Sequence, residues 1–137
     1  MSARLFTPAE VDRLIPRLTA LMERALERHR QARALEERLR EDRARVAASG
    51  GERLDAVEWK ARAERLDGLG IEVRQVLQEV LALGGVVKDL EMGLVDFPGR
   101  RPGDDGATVN LCWRLGEDTV RFWHGTDEGY ASRKPLP

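Results

Sequence analysis

Hydrophobic residues in the first part of the chain recur every three or four positions in two long runs. The first run begins at Val11 and the second at Leu54, with S-G-G at residues 49–51 between them. This spacing is typical of amphipathic helices, and the glycine pair at 84–85 is a typical helix end. Because so short a turn joins antiparallel neighbours, the pattern predicts a helical hairpin over residues 7–85.

The start of the first helix is marked by F-T-P-A-E-V at residues 6–11. Thr7 can cap the helix, Pro8 suits its first position and Glu10 completes a capping box. Pro16 lies inside the run and predicts a kink. A helix of about forty residues would be roughly 60 Å long. Since this exceeds the diameter of a domain of this size, part of the hairpin must project or meet another chain.

The second helix is predicted to begin between Ser49 and Asp55, since S-G-G-E and D-A-V-E both resemble capping boxes. From Leu66 onward its apolar residues alternate in spacings of three and four, as in a coiled coil. Gly68 and Gly70 interrupt this helix. Opposite a small residue of the first helix, they favour close helix approach, and a hinge is the alternative.

After residue 85 the pattern changes to the period of two that is typical of β-strands. V-V-K-D-L at residues 86–90 and L-V-D-F at 94–97 predict two short strands, and the segment 98–106 predicts a loop. T-V-N-L-C-W-R-L at 108–115 predicts a third strand. One face of it holds Val109, Leu111, Trp113 and Leu115, and the other holds Thr108, Asn110, Cys112 and Arg114.

A turn at residues 116–117 would pair this strand with T-V-R-F-W-H at 119–124. The apolar residues of both strands then share one face, which we expect to pack on the helices. The predicted partners are Trp113 and Val120, Leu111 and Phe122, and Val109 and His124.

In this register Trp123 points away from the core. It then lies beside Arg114 and Arg121, and such a group is typical of a cation–π patch or an interface. The alternative is that the tail or a loop covers the ring.

Together these elements predict an α+β fold in a single domain, residues 1–137. A long antiparallel two-helix hairpin packs on a small antiparallel β-sheet of three or four strands within residues 86–124. Residues 125–137 form a C-terminal arm with the composition of a solvated segment. We also expect a homodimer, because the far end of the hairpin has little to bury against within one chain.

Composition and charge limit the classes of partner. Charged residues make up 34% of the chain, but the net charge is −1, so no global field attracts nucleic acid or an anionic membrane. Acidic residues alternate with the arginines of the first helix, which favours ion pairs over a nucleic-acid surface. No apolar run can span a bilayer. One cysteine and the lack of a signal peptide predict a cytoplasmic protein.

Chemically versatile residues are concentrated in residues 110–125. Cys112 has no base beside it in the predicted register, which places His124 on the opposite face. We therefore favour a structural thiol over a nucleophile, although Arg114 and Arg121 would lower the pKa of a neighbouring thiol.

H-G-T-D-E at residues 124–128 is the best metal-like cluster. Its imidazole and carboxylates can hold a divalent metal, with further carboxylates arriving from neighbouring strands. The alternative is a capped strand end, because this spacing is common. The candidate ligands are His124, Asp127, Glu128 and Glu91, with Asp89 and Asp96 nearby.

Three stretches carry a resemblance to a known family. They are F-T-P-A-E-V-D-R-L-I-P at 6–16, V-K-D-L-E-M-G-L-V-D-F-P at 87–98, and L-C-W-R-L-G-E-D-T-V-R-F-W-H-G-T-D-E-G-Y-A-S-R-K-P-L at 111–136. Over essentially its whole length the chain resembles the bacterial family of uncharacterised proteins called domain of unknown function 2203. The resemblance implies that the tail docks on the sheet. It also implies one shared site that includes Asp89, Asp96, Arg114, Trp123, His124 and Arg133.

For function, these patterns favour a non-enzymatic protein-interaction or self-assembly module. The hairpin would bind a partner helix or a second copy, and the sheet would present Trp123 with its arginines. The alternative is a metal- or small-ligand-binding protein around His124 and nearby carboxylates, with hydrolysis among its potential activities. Whether the chain is an enzyme stays open at this point.

Overall fold

The computed structural model describes residues 4–49, 55–101, 103 and 106–137. Two long helices come first, α1 at Pro8–Ser49 and α2 at Ala56–Leu83. Five strands follow, with a short 3₁₀ turn at Tyr130–Ser132 before the last of them. The strands are β1 at Val86–Asp89, β2 at Leu94–Arg100, β3 at Thr108–Arg114, β4 at Phe122–Gly125 and β5 at Lys134–Pro135. The predicted α+β class is confirmed.

The helix ends lie where local chemistry predicts them. The backbone N–H of Glu10 donates to Thr7 Oγ1, and the Thr7 N–H donates to the Glu10 carboxylate, which forms the predicted capping box. Asp55 caps α2 by accepting from the backbone N–H of Val57 and Glu58. The D-A-V-E alternative is therefore the correct start of α2. At the other end Gly84 has a φ of 105°, a left-handed conformation that suits glycine.

The helices pack as an antiparallel hairpin, as predicted. Arg28 Nε lies 3.0 Å from Glu72 Oε2, and Arg24 Nη2 lies 3.4 Å from Glu79 Oε2. Exposed ion pairs of this kind stabilise little, but they show which residues of the two helices lie opposite each other. The predicted turn at residues 49–51 falls mostly outside the described residues. A Cβ on Gly68 would meet nothing within 4 Å, so close helix approach at this glycine is wrong. Neither helix is long and apolar enough to cross a membrane in the part of the chain that the structure describes.

The core lies between one face of the sheet and the adjoining end of the hairpin, which is the first half of α1 and the second half of α2. From α1 it takes Val11, Leu18 and Met22, and from α2 it takes Val76 and Val80. The sheet contributes Val95, Phe97, Val109, Leu111 and Trp113, which are all 3% exposed or less. The prediction that the inward face of β3 packs on the helices is therefore confirmed.

The sheet has five antiparallel strands in the order β1-β2-β3-β4-β5, and not three or four. The additional strand is β5, from the C-terminal segment. The family resemblance predicts that this segment docks on the sheet, which is confirmed, whereas its composition predicts a solvated arm, which is wrong. Trp123 pairs with Lys134, and the Leu136 N–H donates to the Arg121 carbonyl at 2.7 Å. The strand β2 also extends to Arg100, so the predicted loop begins later than residue 98.

The pairing of β3 with β4 differs by one residue from the prediction. Leu111 lies opposite Trp123, and Cys112 lies opposite Phe122. Because side chains alternate along a strand, a shift of one residue exchanges the two faces of β4. Trp123 therefore packs against the core. Phe122 lies on the face of Cys112, and the prediction that places it in the core is wrong, as is the prediction that Trp123 points away from the core.

The reason for the shift lies in the connection between β3 and β4. The Glu117 N–H donates to the Arg114 carbonyl, and the Trp113 indole donates to the Glu117 carbonyl at 2.8 Å. The Val120 N–H then donates to Asp12 Oδ1 of α1 at 2.7 Å. Because the chain is tied to α1 before β4 begins, a longer connection replaces the predicted two-residue turn.

A candidate metal centre with an adjoining pocket

The sheet face opposite the helices carries a row of polar residues. Asp96 of β2 lies opposite Cys112 of β3, and Asn110 of β3 lies opposite His124 of β4. Side chains at these positions point to the same face, since directly paired residues of an antiparallel ladder share a face. The observed register therefore brings Cys112 and His124 together, and the prediction that separated them is wrong.

Asp96, Cys112 and His124 form a compact buried cluster. One carboxylate oxygen, the Cys112 sulfur and one imidazole nitrogen all lie within 4.8 Å of one another. The three residues are 3%, 1% and 2% exposed, respectively. Burial to this degree is rare for an aspartate or a histidine without polar partners, so the hydrogen bonds of the cluster decide its character.

The two nitrogens of His124 have different partners. Nδ1 lies 2.9 Å from the Gly125 carbonyl oxygen, and Nε2 lies 3.0 Å from Asp96 Oδ2. A carbonyl oxygen only accepts, so Nδ1 carries a hydrogen in this contact. The contact between Nε2 and Oδ2 then needs one further proton, held by either atom. A metal ion can take the place of that proton, and an Nδ1–H bonded to a backbone carbonyl is the usual support of a metal-binding histidine.

Asp96 has one oxygen that remains unpaired. Its Oδ1 is buried and has no hydrogen-bond partner among the residues that the structure describes. A buried acceptor without a partner costs about 1–3 kcal/mol. The His124 contact therefore satisfies one oxygen of the carboxylate, and the only other donor available to Asp96 among the described side chains is the weak one of the Cys112 thiol.

Cys112 is a neutral thiol in this setting. Burial is the main cause that raises its pKa to about 12, and the charge of Asp96 raises it further. The guanidinium of Arg133 opposes this effect but does not overcome it. The expectation that Arg114 and Arg121 lower the pKa of this thiol is wrong. Without a metal ion Cys112 is a poor nucleophile, because the reactive species is the thiolate.

The cluster lies at a pocket of about 280 Å³ on the outer face of the sheet. Asp89 lies at its edge and accepts from the Met92 N–H at 2.9 Å. Glu128 also lines the pocket and accepts from the Gly125 N–H at 2.7 Å and from Lys134 Nζ at 2.8 Å. The Lys134 ammonium is the main cause that holds the pKa of Glu128 below its usual value. The other lining residues include Lys88, Asn110, Thr126 and Tyr130.

Two of the predicted metal ligands lie apart from this cluster. Glu91 contacts α1, where Arg33 Nη1 and His29 Nε2 lie 3.0 and 3.4 Å from its Oε1. Asp127 is exposed and does not line the pocket. The carboxylate that contacts His124 is instead Asp96, which the sequence predicts only as a residue near the ligands.

The predicted patch of Trp123 with Arg114 and Arg121 does not form, because neither arginine lies over the Trp123 ring. Arg121 pairs with Asp118 at 2.7 Å and is exposed, and the cations over the Trp123 ring are Arg101 and Lys134. Arg114 donates to the Tyr130 hydroxyl at 2.9 Å. Arg133 pairs with Glu117 at 2.8 Å.

Sequence reasoning missed Lys88, Asn110, Thr126 and Tyr130 as pocket residues. A signal for the buried cluster exists in V-D-F at residues 95–97. Val95 and Phe97 are fully buried on the core face and Asp96 is 3% exposed on the opposite face, so the strand has little solvent on either side. A charged residue in such a strand is an expected functional position.

No curated protein and no solved structure matches the chain. The sequence model of the family described as "Uncharacterized conserved protein (DUF2203)" matches residues 4–136. This match covers nearly the whole chain and includes all of the elements that build the cluster and the pocket. The chain therefore belongs to the DUF2203 family of uncharacterized conserved proteins.

Proposed function

We propose that the protein binds a divalent transition metal of the zinc class through Asp96, Cys112 and His124, and holds a small ligand beside it. The observation that carries the proposal is the unpaired oxygen of Asp96, buried next to a thiol and an imidazole. A purely structural pair between Asp96 and His124 would leave that oxygen with at most the weak thiol donor of Cys112. A metal ion would satisfy the carboxylate and replace the proton between the two residues.

The donor set favours zinc over magnesium or calcium. Oxygen, sulfur and nitrogen ligands together suit zinc, whereas magnesium and calcium prefer oxygen alone. Ligand atoms around tetrahedral zinc lie about 3.5 Å apart, and the three atoms here are already within 4.8 Å of one another. Small side-chain rotations would therefore complete the arrangement.

Three protein ligands leave one tetrahedral position for a ligand. All three residues line the pocket, so the fourth position has access to it. Sites of this kind in enzymes hold a water molecule that can attack a substrate. The nearby carboxylates of Asp89 and Glu128 each accept a backbone N–H through one oxygen, and no contact among the described residues directs the other oxygen to the open metal position. We therefore propose that the site binds a metal ion and a ligand, and we leave hydrolysis as a hypothesis.

A reducing, cytoplasmic setting is part of this proposal, because a thiol that binds metal must stay reduced. The proposal is tested by the metal content of protein that has been incubated with zinc and freed of excess. We expect about one zinc per chain, and a higher temperature of unfolding with zinc than with a chelator. His124→Ala and Cys112→Ala should each abolish zinc binding.

The matched control is His29→Ala, which removes the other histidine from the helical hairpin and should leave the zinc content unchanged. Cobalt provides a measurement that needs no variant, since a cobalt–thiolate bond adds a charge-transfer band to the absorption spectrum. Wild-type protein that binds neither zinc nor cobalt would contradict the proposal even if a variant failed to fold.

We infer self-assembly through the hairpin as a second candidate function. Leu39, Trp59, Ala63 and Leu66 line an open groove of about 350 Å³ in the distal half of the hairpin. This half lies beyond the sheet and is held by the buried Asp42, which pairs with Arg62 at 2.9 Å. An apolar groove far from the core is suited to a second copy of the chain or to a partner helix.

The second candidate is tested by the mass of the protein in light scattering. A dimer is expected, and Ala63→Asp should dissociate it by placing a charge in the groove. Ala61→Asp is the matched control, because Ala61 is exposed on the same helix and does not line the groove. A wild-type monomer at micromolar concentration would contradict self-assembly and would leave the metal site unaffected.

A further inference from the structure

We propose that the ligand of this pocket is a small oxyanion, a carboxylate or a phosphate, bound between the metal and the side chains of Lys88 and Tyr130. This inference rests on the proposed metal site and adds the chemical class of the ligand. It follows from which polar groups of the pocket already have partners and which do not.

The carboxylates of the pocket that lie outside the cluster are already used. Asp89 accepts from the Met92 N–H, and Glu128 accepts from the Gly125 N–H and from Lys134. Each of these contacts is 2.9 Å or shorter, and two of the donors are backbone groups that cannot turn away. Each of these carboxylates therefore has one oxygen in a fixed contact, and the charge of Glu128 is already paired with Lys134.

Two side chains of the pocket that can donate have no partner among the described residues. Lys88 and the side chain of Asn110 both line the pocket, and neither has a hydrogen bond or an ion pair within the described part of the chain. The ammonium of Lys88 offers three donors, and the amide of Asn110 offers two donors and one acceptor. A ligand rich in acceptors is complementary to this set.

Tyr130 is held in a position to donate as well. Its hydroxyl oxygen accepts from Arg114 Nη1 at 2.9 Å. Because the arginine only donates, the hydroxyl hydrogen of Tyr130 remains available to a ligand. The guanidinium of Arg114 also lies 5.8 Å from the centre of the Tyr130 ring, which adds positive charge behind the hydroxyl.

The charge and the size of the pocket limit the ligand further. A divalent metal bound by the Asp96 carboxylate and the Cys112 thiolate has no net charge, Lys134 offsets Glu128, and Lys88 offsets Asp89. An anion between the metal and Lys88 therefore meets a pocket without net negative charge. The pocket volume of about 280 Å³ is at the lower end of the range for small-molecule sites. The site is therefore suited to a small acid and not to a polymer.

The test uses cobalt-loaded full-length protein, whose visible spectrum reports on the coordination of the metal. Acetate and inorganic phosphate are titrated separately, with acetamide as the uncharged analogue of acetate. We expect a saturable spectral change with at least one of the anions and none with acetamide. The anion that binds more tightly distinguishes a carboxylate ligand from a phosphate ligand.

Lys88→Gln and Tyr130→Phe should each weaken anion binding by about tenfold, the loss expected for one hydrogen bond to a charged group. Neither variant should change the cobalt spectrum before the anion is added. Lys60→Gln, on the exposed surface of α2, is the matched control and should bind the anion as the wild type does.

The possible outcomes separate the two proposals. A protein that binds no cobalt overturns the metal site, and the oxyanion inference with it. A normal cobalt spectrum that neither anion changes overturns the oxyanion inference alone. The same conclusion follows if acetamide acts as acetate does, or if Lys88→Gln and Tyr130→Phe both bind the anions with wild-type affinity.

Discussion

His124 and Asp96 face each other across the strand between them, with the imidazole Nε2 of β4 3.0 Å from the carboxylate Oδ2 of β2. Cys112 of β3 lies between these two strands and supplies the third group of the cluster. Three adjacent strands thus contribute one potential ligand each. The arrangement depends on the register of both the β2–β3 and the β3–β4 pair, so a shift of one residue in either pair would separate the three side chains.

Asp96→Asn separates a metal-binding role from a structural one. The amide can still donate a hydrogen bond to Nε2 of His124, so the stability of the metal-free protein should change by less than about 1 kcal/mol. Zinc affinity should fall at least about tenfold, because a charged ligand is lost. Urea unfolding in the presence of a chelator and a competitive zinc titration measure the two effects.

The control for this variant is Asp89→Asn, which alters a carboxylate of the same pocket outside the cluster and should bind zinc nearly as the wild type does. A contrary result would be an Asp96→Asn protein destabilised by several kcal/mol that binds zinc as before. The pair of Asp96 and His124 would then have only a structural role.

The raised pKa of Cys112 predicts how the stability of the metal-free protein depends on pH. The thiol titrates near pH 9 when the chain is unfolded and near pH 12 when it is folded. Its contribution to stability is therefore fully present below about pH 9 and is lost as the pH rises toward 12. The slope should reach at most about 1.4 kcal/mol per pH unit.

The measurement compares wild-type protein with Cys112→Ala by urea unfolding at several values of pH with a chelator present. Only the difference between the two proteins matters, since other groups titrate in both. The difference should shrink as the pH rises from 9 to 11. Profiles that stay parallel over this interval would show that the thiol is not held neutral by the fold.

Features that depend on local chemistry could be predicted from the sequence. The start of α1 and both ends of α2 follow from Thr7, Asp55 and Gly84, whose side chain or backbone freedom determines the cap within one turn. The two faces of β3 follow from the alternation of apolar and polar residues around Trp113. Each of these features involves residues that are close together along the chain.

Features that depend on distant contacts could not be predicted in this way. The register of β4 depends on the bond between Val120 and Asp12, which are 108 residues apart. A two-residue turn was the simplest local solution for the same sequence, and it exchanges the faces of His124 and Trp123. The local spacing of H-G-T-D-E favours Asp127 and Glu128 as partners of His124, with Asp96 only nearby, whereas the sheet places Asp96 and Cys112 beside His124.

Asp12→Ala tests whether this distant bond stabilises the observed fold. Its removal leaves the partly buried N–H of Val120 without its acceptor, and we expect a loss of about 1–3 kcal/mol in the free energy of unfolding. Arg13→Ala is the matched control, because Arg13 is the exposed neighbour of Asp12 on α1 and should change stability by less than about 0.5 kcal/mol. Equal stability of the two variants would show that the bond is not important to the fold.

Replacing Gly84, the C-cap of α2, and Gly68, inside α2, with alanine should change the stability of the protein in opposite directions. Gly84 has a φ of 105°, and a Cβ there would overlap the ring of Phe6, so Gly84→Ala should destabilise the protein by about 2 kcal/mol or more. Gly68 lies inside α2, where a Cβ would meet nothing within 4 Å. Gly68→Ala should therefore stabilise by up to about 1 kcal/mol. Thermal unfolding of the pair measures both, and a destabilised Gly68→Ala protein would indicate that the helices need a hinge or a closer approach at this position.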